Sequence, residues 1–209
     1  MIVDHTDPDY VRKWKGMFGN RYNGAYYYSR EIVANIIPNV ETTRNWVTVN
    51  QEGRCFDHSI VFVHNNLHPE MYSWLSAYDD LVLVCGVPST CEKVAHLGRA
   101  VYLPLSVDVG YVERFRVFKT RDTAFCGRVE KRVGYDFGGI DMLYNIPRDE
   151  LLTYMAMYER VYAVGRTAIE ARILDCEILT YDPRYPDPSV WKVVDNLEAA
   201  EMLQNLLDD

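Results

Sequence analysis

The sequence predicts an α/β protein built around two small parallel sheets, and two observations support this class. Short apolar runs such as Leu81-Val-Leu-Val-Cys85 read as buried strands. These runs alternate along the chain with segments of about ten residues whose apolar side chains recur at helical spacing. Strands separated by helices of that length form parallel sheets with both faces covered.

The first half of the chain follows this alternation. A helical segment with Ser29 as its candidate cap ends at Pro38. The remaining elements are then predicted from apolar periodicity: strands at residues 46–49, 59–63, 81–85 and 101–105, with helices at residues 69–78 and 89–97. We assign residues 1–110 to an N-terminal, Rossmann-like lobe.

The second half repeats the pattern after a charged and aromatic bridge at residues 106–122. Its elements are predicted as strands at residues 124–126, 161–164 and 178–181, and helices at residues 148–159, 167–174 and 196–207. We assign residues 111–209 to a second small Rossmann-like lobe.

Composition and charge narrow the classes of function. Hydrophobic residues make up 48% and charged residues 25% of the chain, the balance of a globular protein. The net charge of −8 argues against nucleic acid as the main partner, because a broad contact with a phosphate backbone needs basic residues. The first residues lack the layout of a signal peptide, and no apolar run has the length of a membrane span. We therefore expect a cytoplasmic protein without a membrane span.

The cysteines favour structural roles. There are five, an odd number without the paired spacing of a metal site: Cys55, Cys85, Cys91, Cys126 and Cys176. Neither a disulfide framework nor a metal site is predicted.

The segment Val161-Tyr-Ala-Val-Gly165-Arg-Thr-Ala-Ile-Glu170-Ala171 carries the strongest functional signal. A predicted strand ends before Gly165 and a predicted helix begins at Thr167, so free backbone N–H groups and the charge of Arg166 can hold a phosphate. Glu170, one turn further on, can accept hydrogen bonds from a ribose diol. The alternative interpretation is an ordinary strand-to-helix turn followed by a solvated glutamate.

A second motif, Thr123-Ala-Phe-Cys-Gly127-Arg128-Val-Glu-Lys131, also places basic residues after a strand and a glycine. The two motifs together resemble the donor half of GT-B glycosyltransferases, in which a Gly-Arg and a following Lys precede a helix with a Glu-Ala pair. The resemblance implies that Arg128 and Lys131 neutralise the donor diphosphate and that Glu170 binds the ribose.

The resemblance further implies a minimal GT-B-like protein, in which residues 1–110 face the acceptor and residues 111–209 bind a nucleotide sugar. The implied activity is transfer of a sugar from a nucleotide-sugar donor to an unknown acceptor, without a cofactor or metal ion. The chain departs from the family at Tyr162, where the retaining branch often has a glutamate, and in the short stretch between its two motifs.

His64 is the candidate catalytic base. It follows the predicted strand Val61-Phe-Val and would lie at the carboxyl edge of the first sheet, where ligands bind. A neutral imidazole there can remove a proton from an acceptor hydroxyl. The alternative is that His64 and His68 cap the start of the following helix.

Two other functions stay open. The chain can be a non-catalytic protein that binds or sequesters a nucleotide or nucleotide sugar, or a Rossmann-like interaction protein in which the Gly-Arg turns are coincidental. A small chain with a shallow cleft can also complete its site through a homodimer.

Overall fold

The fold is described from a computed structural model, which covers residues 2–3, 60–63, 73, 75–127, 136–185 and 187–208. Several predicted features lie outside these ranges: the helix ending at Pro38, the strand at residues 46–49 and most of the helix at residues 69–78. The chain divides into two compact units. Of the described residues, those up to Pro104 and from Leu197 onward form the first unit, and Leu105–Asn196 form the second.

The first unit contains a parallel sheet whose strands follow their order in the sequence. Val61 pairs in register with Leu83, and both side chains are buried in the core of this unit. Helix α1 starts at Pro88, where proline's missing N–H costs no helical hydrogen bond. The elements are β1 (Ile2–Val3), β2 (Ile60–Val63), β3 (Val82–Cys85), α1 (Pro88–Val94) and β4 (Arg99–Tyr102).

The second unit contains another parallel sheet with helices along its connections. Its strands are β5 (Arg121–Cys126), β6 (Asp141–Leu143), β7 (Tyr158–Tyr162) and β8 (Glu177–Leu179). Its helices are α2 (Val109–Glu113), α3 (Arg148–Met155) and α4 (Arg166–Ile173), followed by a 3₁₀ turn at Pro188–Val190. The last helix, α5 (Asn196–Asp208), begins at the final residue of this unit.

The strands of the second sheet lie in the order β6-β5-β7-β8. The chain leaves β5 towards β6 on one side, then crosses back to add β7 and β8 on the other side. Phe125 of β5 pairs in register with Tyr162 of β7, so these two strands end side by side.

Aromatic side chains fill the core near the carboxyl ends of this sheet. Phe125, Phe137 and Tyr181 are buried, and Tyr162 packs against them. The ring centroid of Phe125 lies 4.7 Å from that of Phe137 and 4.9 Å from that of Tyr181. Such tilted and edge-on pairs stabilise a core beyond the area that they bury.

The two ends of the segment Leu105–Asn196 are joined by hydrogen bonds. Val107 and Asp195 form a parallel bridge, in which Val107 N–H donates to Val194 O and Asn196 N–H donates to Val107 O. The buried Ser106 hydroxyl donates to Asn196 Oδ1 over 2.8 Å. Backbone and side-chain bonds therefore tie residues about ninety positions apart.

The predicted α/β class and its two parallel sheets are confirmed. The division into units falls after Pro104 and places Leu197–Asp209 with the first unit, whereas the predicted lobes met at residue 110 and placed the C-terminal helix in the second. In the part of the chain that the structure describes, every helix is too short or too polar to cross a lipid bilayer.

Candidate functional site

The strand order of the second sheet creates a place for a ligand. In doubly wound sheets, ligands bind outside the carboxyl ends of the strands, where successive connections leave in opposite directions. Here that point lies between β5 and β7. Gly127 directly follows β5, and Gly165 lies three residues after the end of β7. The topology therefore brings Gly127 and Gly165 to one edge of the sheet.

Gly127 has no room for a side chain. A Cβ atom built on it would lie 2.9 Å from the hydroxyl oxygen of Tyr181, whose side chain is fully buried. The nearest atom of Phe125 would be 3.5 Å away, an ordinary contact. The close approach of Tyr181 therefore requires glycine at the end of β5.

Gly165 has a backbone conformation that other residues rarely adopt, with φ of 65° and ψ of −142°. Its carbonyl oxygen accepts hydrogen bonds from the N–H groups of Ala168 and Ile169, and this starts α4. The first turn of α4 contains Arg166 and Thr167, the residues that the sequence predicts as phosphate ligands. Their backbone N–H groups lie at the positive end of the helix dipole.

Glu170 is the centre of a buried ion-pair cluster. Its Oε1 atom lies 3.0 Å from Nη2 and 3.1 Å from Nε of Arg148, and 3.8 Å from Nε of Arg166. The side chains are exposed by 0% for Glu170, 2% for Arg166 and 9% for Arg148. One carboxylate therefore pairs with two guanidinium groups from two helices.

The cluster continues from Arg148 to α2. The guanidinium carbon of Arg148 lies 5.2 Å from the ring centroid of Tyr111, within range of a cation–π contact. The Tyr111 hydroxyl donates to Asp149 Oδ1, and this hydrogen bond raises the pKa of Tyr111. The same hydrogen bond restrains the Tyr111 side chain beside Arg148.

The predicted site residues are distributed unevenly over the described ranges. Gly127, Gly165, Arg166, Thr167 and Glu170 are described, and all belong to the second unit. The other three predicted residues, His64, Arg128 and Lys131, lie outside the described residues, so their roles stay predictions.

Sequence reasoning did not identify Arg148 or Tyr111. Arg148 was only the first residue of a predicted helix, and it meets Glu170 across 22 positions of sequence. No local pattern signals such a contact. The one available hint was that Glu170 is a charged residue among apolar residues of a predicted helix. A carboxylate buried at such a position needs a cation nearby.

The described residues contain no group of three or more His, Cys, Asp or Glu side chains that could hold a metal ion. Of the cysteines, Cys85, Cys126 and Cys176 are buried, and Cys91 is half-buried. Burial raises the pKa of the Cys126 thiol well above its ordinary value, so this residue is a packing group at neutral pH.

No protein-family model, curated protein or solved structure matches this chain.

Proposed function

We propose that the second unit binds the diphosphate of a nucleotide sugar at the carboxyl edge between β5 and β7, and that the chain is a glycosyltransferase of GT-B type. The observation that carries the proposal is the strand order β6-β5-β7-β8. This order brings the turn at Gly127 beside the turn at Gly165, although the two glycines are far apart in sequence.

The chemistry of the two turns suits a diphosphate. The start of α4 offers backbone N–H donors and the positive end of the helix dipole. Arg166 adds a full positive charge within the same turn. Arg128 and Lys131 directly follow the turn at Gly127 in the sequence, and they would add two more cations. A departing nucleoside diphosphate gains negative charge, which such groups stabilise more strongly in the transition state than in the bound donor.

The proposal is tested by thermal unfolding in the presence of nucleoside diphosphates and nucleotide sugars. A ligand that binds only the folded chain adds about 2.7 kcal/mol of stability at a concentration one hundred times its Kd. We expect one or more members of this panel to raise the melting temperature.

The variant Arg166→Gln should bind the active ligand at least about tenfold more weakly, because a positive charge at the start of α4 is lost from the site. Arg172→Gln is the matched control, since Arg172 lies on the same helix with its side chain exposed. A ligand shift that is equal in both variants would remove Arg166 from the site. No shift with any ligand would end the proposal.

A nucleotide-binding or sequestering protein is the competing function. Strong binding of a nucleotide sugar without hydrolysis or transfer of the sugar would establish that function instead.

The predicted base gives a separate test of catalysis. His64→Ala should abolish sugar transfer and leave donor binding unchanged, because removal of the acceptor proton contributes a factor of about 10² to 10⁴ to the rate. His96→Ala serves as the control, with activity close to that of the unaltered chain. Normal turnover by His64→Ala would show that the imidazole is not the base.

A further inference from the structure

Glu170 is held from two sides. Arg148 Nε donates to the Oε1 atom of Glu170 over 3.1 Å, and Arg148 Nη2 lies 3.0 Å from the same oxygen. Arg166 approaches the same oxygen from its own helix, one turn before Glu170. Glu170 therefore pairs with both guanidinium groups, and Arg148 is the nearer of the two.

Arg148 is itself fixed from a third helix. The face of Tyr111 lies against its guanidinium, and Asp149 accepts a hydrogen bond from the Tyr111 hydroxyl. These contacts connect α2, α3 and the first turn of α4. A flexible arginine side chain has about 2 kcal/mol of rotamer entropy to lose when it is immobilised. A side chain that is already restrained loses less of it on binding an anion.

We propose that Arg148 is a positioning residue of the diphosphate site: it orients Arg166 through Glu170 and does not itself touch the ligand. The inference rests on the proposed function. It also gives Glu170 a part in phosphate binding that differs from the ribose contact implied by sequence resemblance.

The test uses inorganic diphosphate as the probe and calorimetric titration of the full chain. Arg148→Met keeps much of the side-chain volume and removes the guanidinium. Its affinity for the probe should fall about tenfold, in line with losses seen when the partner that orients a ligand group is removed. Arg148→Lys should recover part of this loss, because an ammonium group can still pair with Glu170.

Arg114→Met is the control. The Arg114 guanidinium lies over the same Tyr111 ring, at 5.4 Å, on a side chain exposed to solvent. Its loss should leave affinity for the probe unchanged. Arg148→Met with unaltered affinity would overturn the proposal, as would an Arg148→Lys variant no better than Arg148→Met.

If Arg148→Met shows no cooperative melt, Tyr111→Leu replaces it and should weaken diphosphate binding about threefold by loosening Arg148. Unchanged affinity in Tyr111→Leu would then overturn the proposal. An unaltered chain that does not bind inorganic diphosphate would overturn it too. The proposed function has its own test in the panel of nucleotides, so the two can fail separately.

The distinction between the two parts of Glu170 is also measurable. If Glu170 binds the ribose, Glu170→Gln should lose its preference for a nucleoside diphosphate over the 2′-deoxy form and bind inorganic diphosphate normally. If Glu170 instead positions Arg166, Glu170→Gln should bind all three ligands more weakly, by a similar factor. Loss confined to the ribose-bearing ligands would contradict the inference.

Discussion

At the scale of single residues, Gly127 shows how closely the end of β5 is packed. Gly127→Ala should lower the free energy of unfolding by about 1–3 kcal/mol, since the new methyl group would meet the Tyr181 hydroxyl and a packed core yields little. Urea denaturation measures this change. Gly110→Ala is the control, because a Cβ there has only Asp108 Oδ1 nearby, at 3.8 Å.

A double-mutant cycle separates the clash from other effects of the alanine. Combining Gly127→Ala with Tyr181→Phe removes the oxygen that the methyl group would meet. The two changes together should cost less than the sum of their separate costs, because they concern one contact. Strict additivity would show that Tyr181 is not what excludes a side chain at position 127.

The two glycines also show which features of single residues the sequence predicts and which it does not. Both were predicted as strand-ending turns, because an apolar run followed by glycine has a local meaning. The structural reasons that require glycine differ between the two positions, and the sequence pattern showed neither reason. Gly165 is required by its own backbone angles, whereas Gly127 is required by Tyr181, a residue 54 positions later in the chain.

At the scale of elements, Lys119 joins the ends of two helices. Its ammonium group donates to Ala156 O over 3.0 Å and to Leu174 O over 2.6 Å. These carbonyls belong to the C-caps of α3 and α4, where backbone acceptors lack helical partners and the helix dipole favours a cation.

Lys119→Met should therefore lower the free energy of unfolding by about 1.5–3 kcal/mol, at least the value of one hydrogen bond from a charged group, because both acceptor residues are buried. Urea denaturation at neutral pH gives the number, with the exposed Lys192→Met as the control. An unaltered midpoint for Lys119→Met would mean that water replaces the ammonium group at both carbonyls.

Elements with strong patterns were predicted, and short ones were missed. The apolar run at β3 was located because buried parallel strands are nearly continuous in hydrophobicity. Strands β5 and β7 were located only in part, at residues 124–126 and 161–162, because both begin with polar residues. The first two residues of β7, Tyr158 and Glu159, had been predicted as the end of a helix. Strand β6 has three residues and starts with Asp141, so it shows no such run. Helix α2 is little more than one turn, and its only local signal is the Asp108 cap, which accepts from Tyr111 N–H over 2.8 Å.

At the scale of the whole molecule, an acidic chain should lose stability as its carboxylates are protonated, and Asp141 gives one source. Its Oδ2 atom accepts from the Tyr158 hydroxyl over 2.6 Å and from Arg121 over 3.0 Å, a network across the first residues of three strands. The Tyr158 hydrogen bond, with help from Arg121, holds the pKa of Asp141 below its ordinary value.

A carboxylate with a lowered pKa in the folded chain contributes stability above its unfolded pKa of about 3.9, and the contribution disappears as pH falls through the folded value. Asp141→Asn should thus be less stable than the unaltered chain at pH 7, with the difference shrinking towards pH 2. Urea midpoints across this range measure the trend, and Glu159→Gln is the control on an exposed carboxylate. A difference that is constant with pH would exclude the carboxylate charge as its source.

The bridge between Val107 and Asp195 has a consequence for the order of folding. The bonds around it join residues as far as 90 positions apart, so their formation in an unfolded chain would require the closure of a very long loop. The sheet between them shortens that loop only once it has formed, so we expect the bridge to close late in folding. Ser106→Ala removes one of the hydrogen bonds beside this bridge. It should speed unfolding and leave the rate of folding nearly unchanged, so the contacts that join the two ends of Leu105–Asn196 would set how fast this segment unfolds.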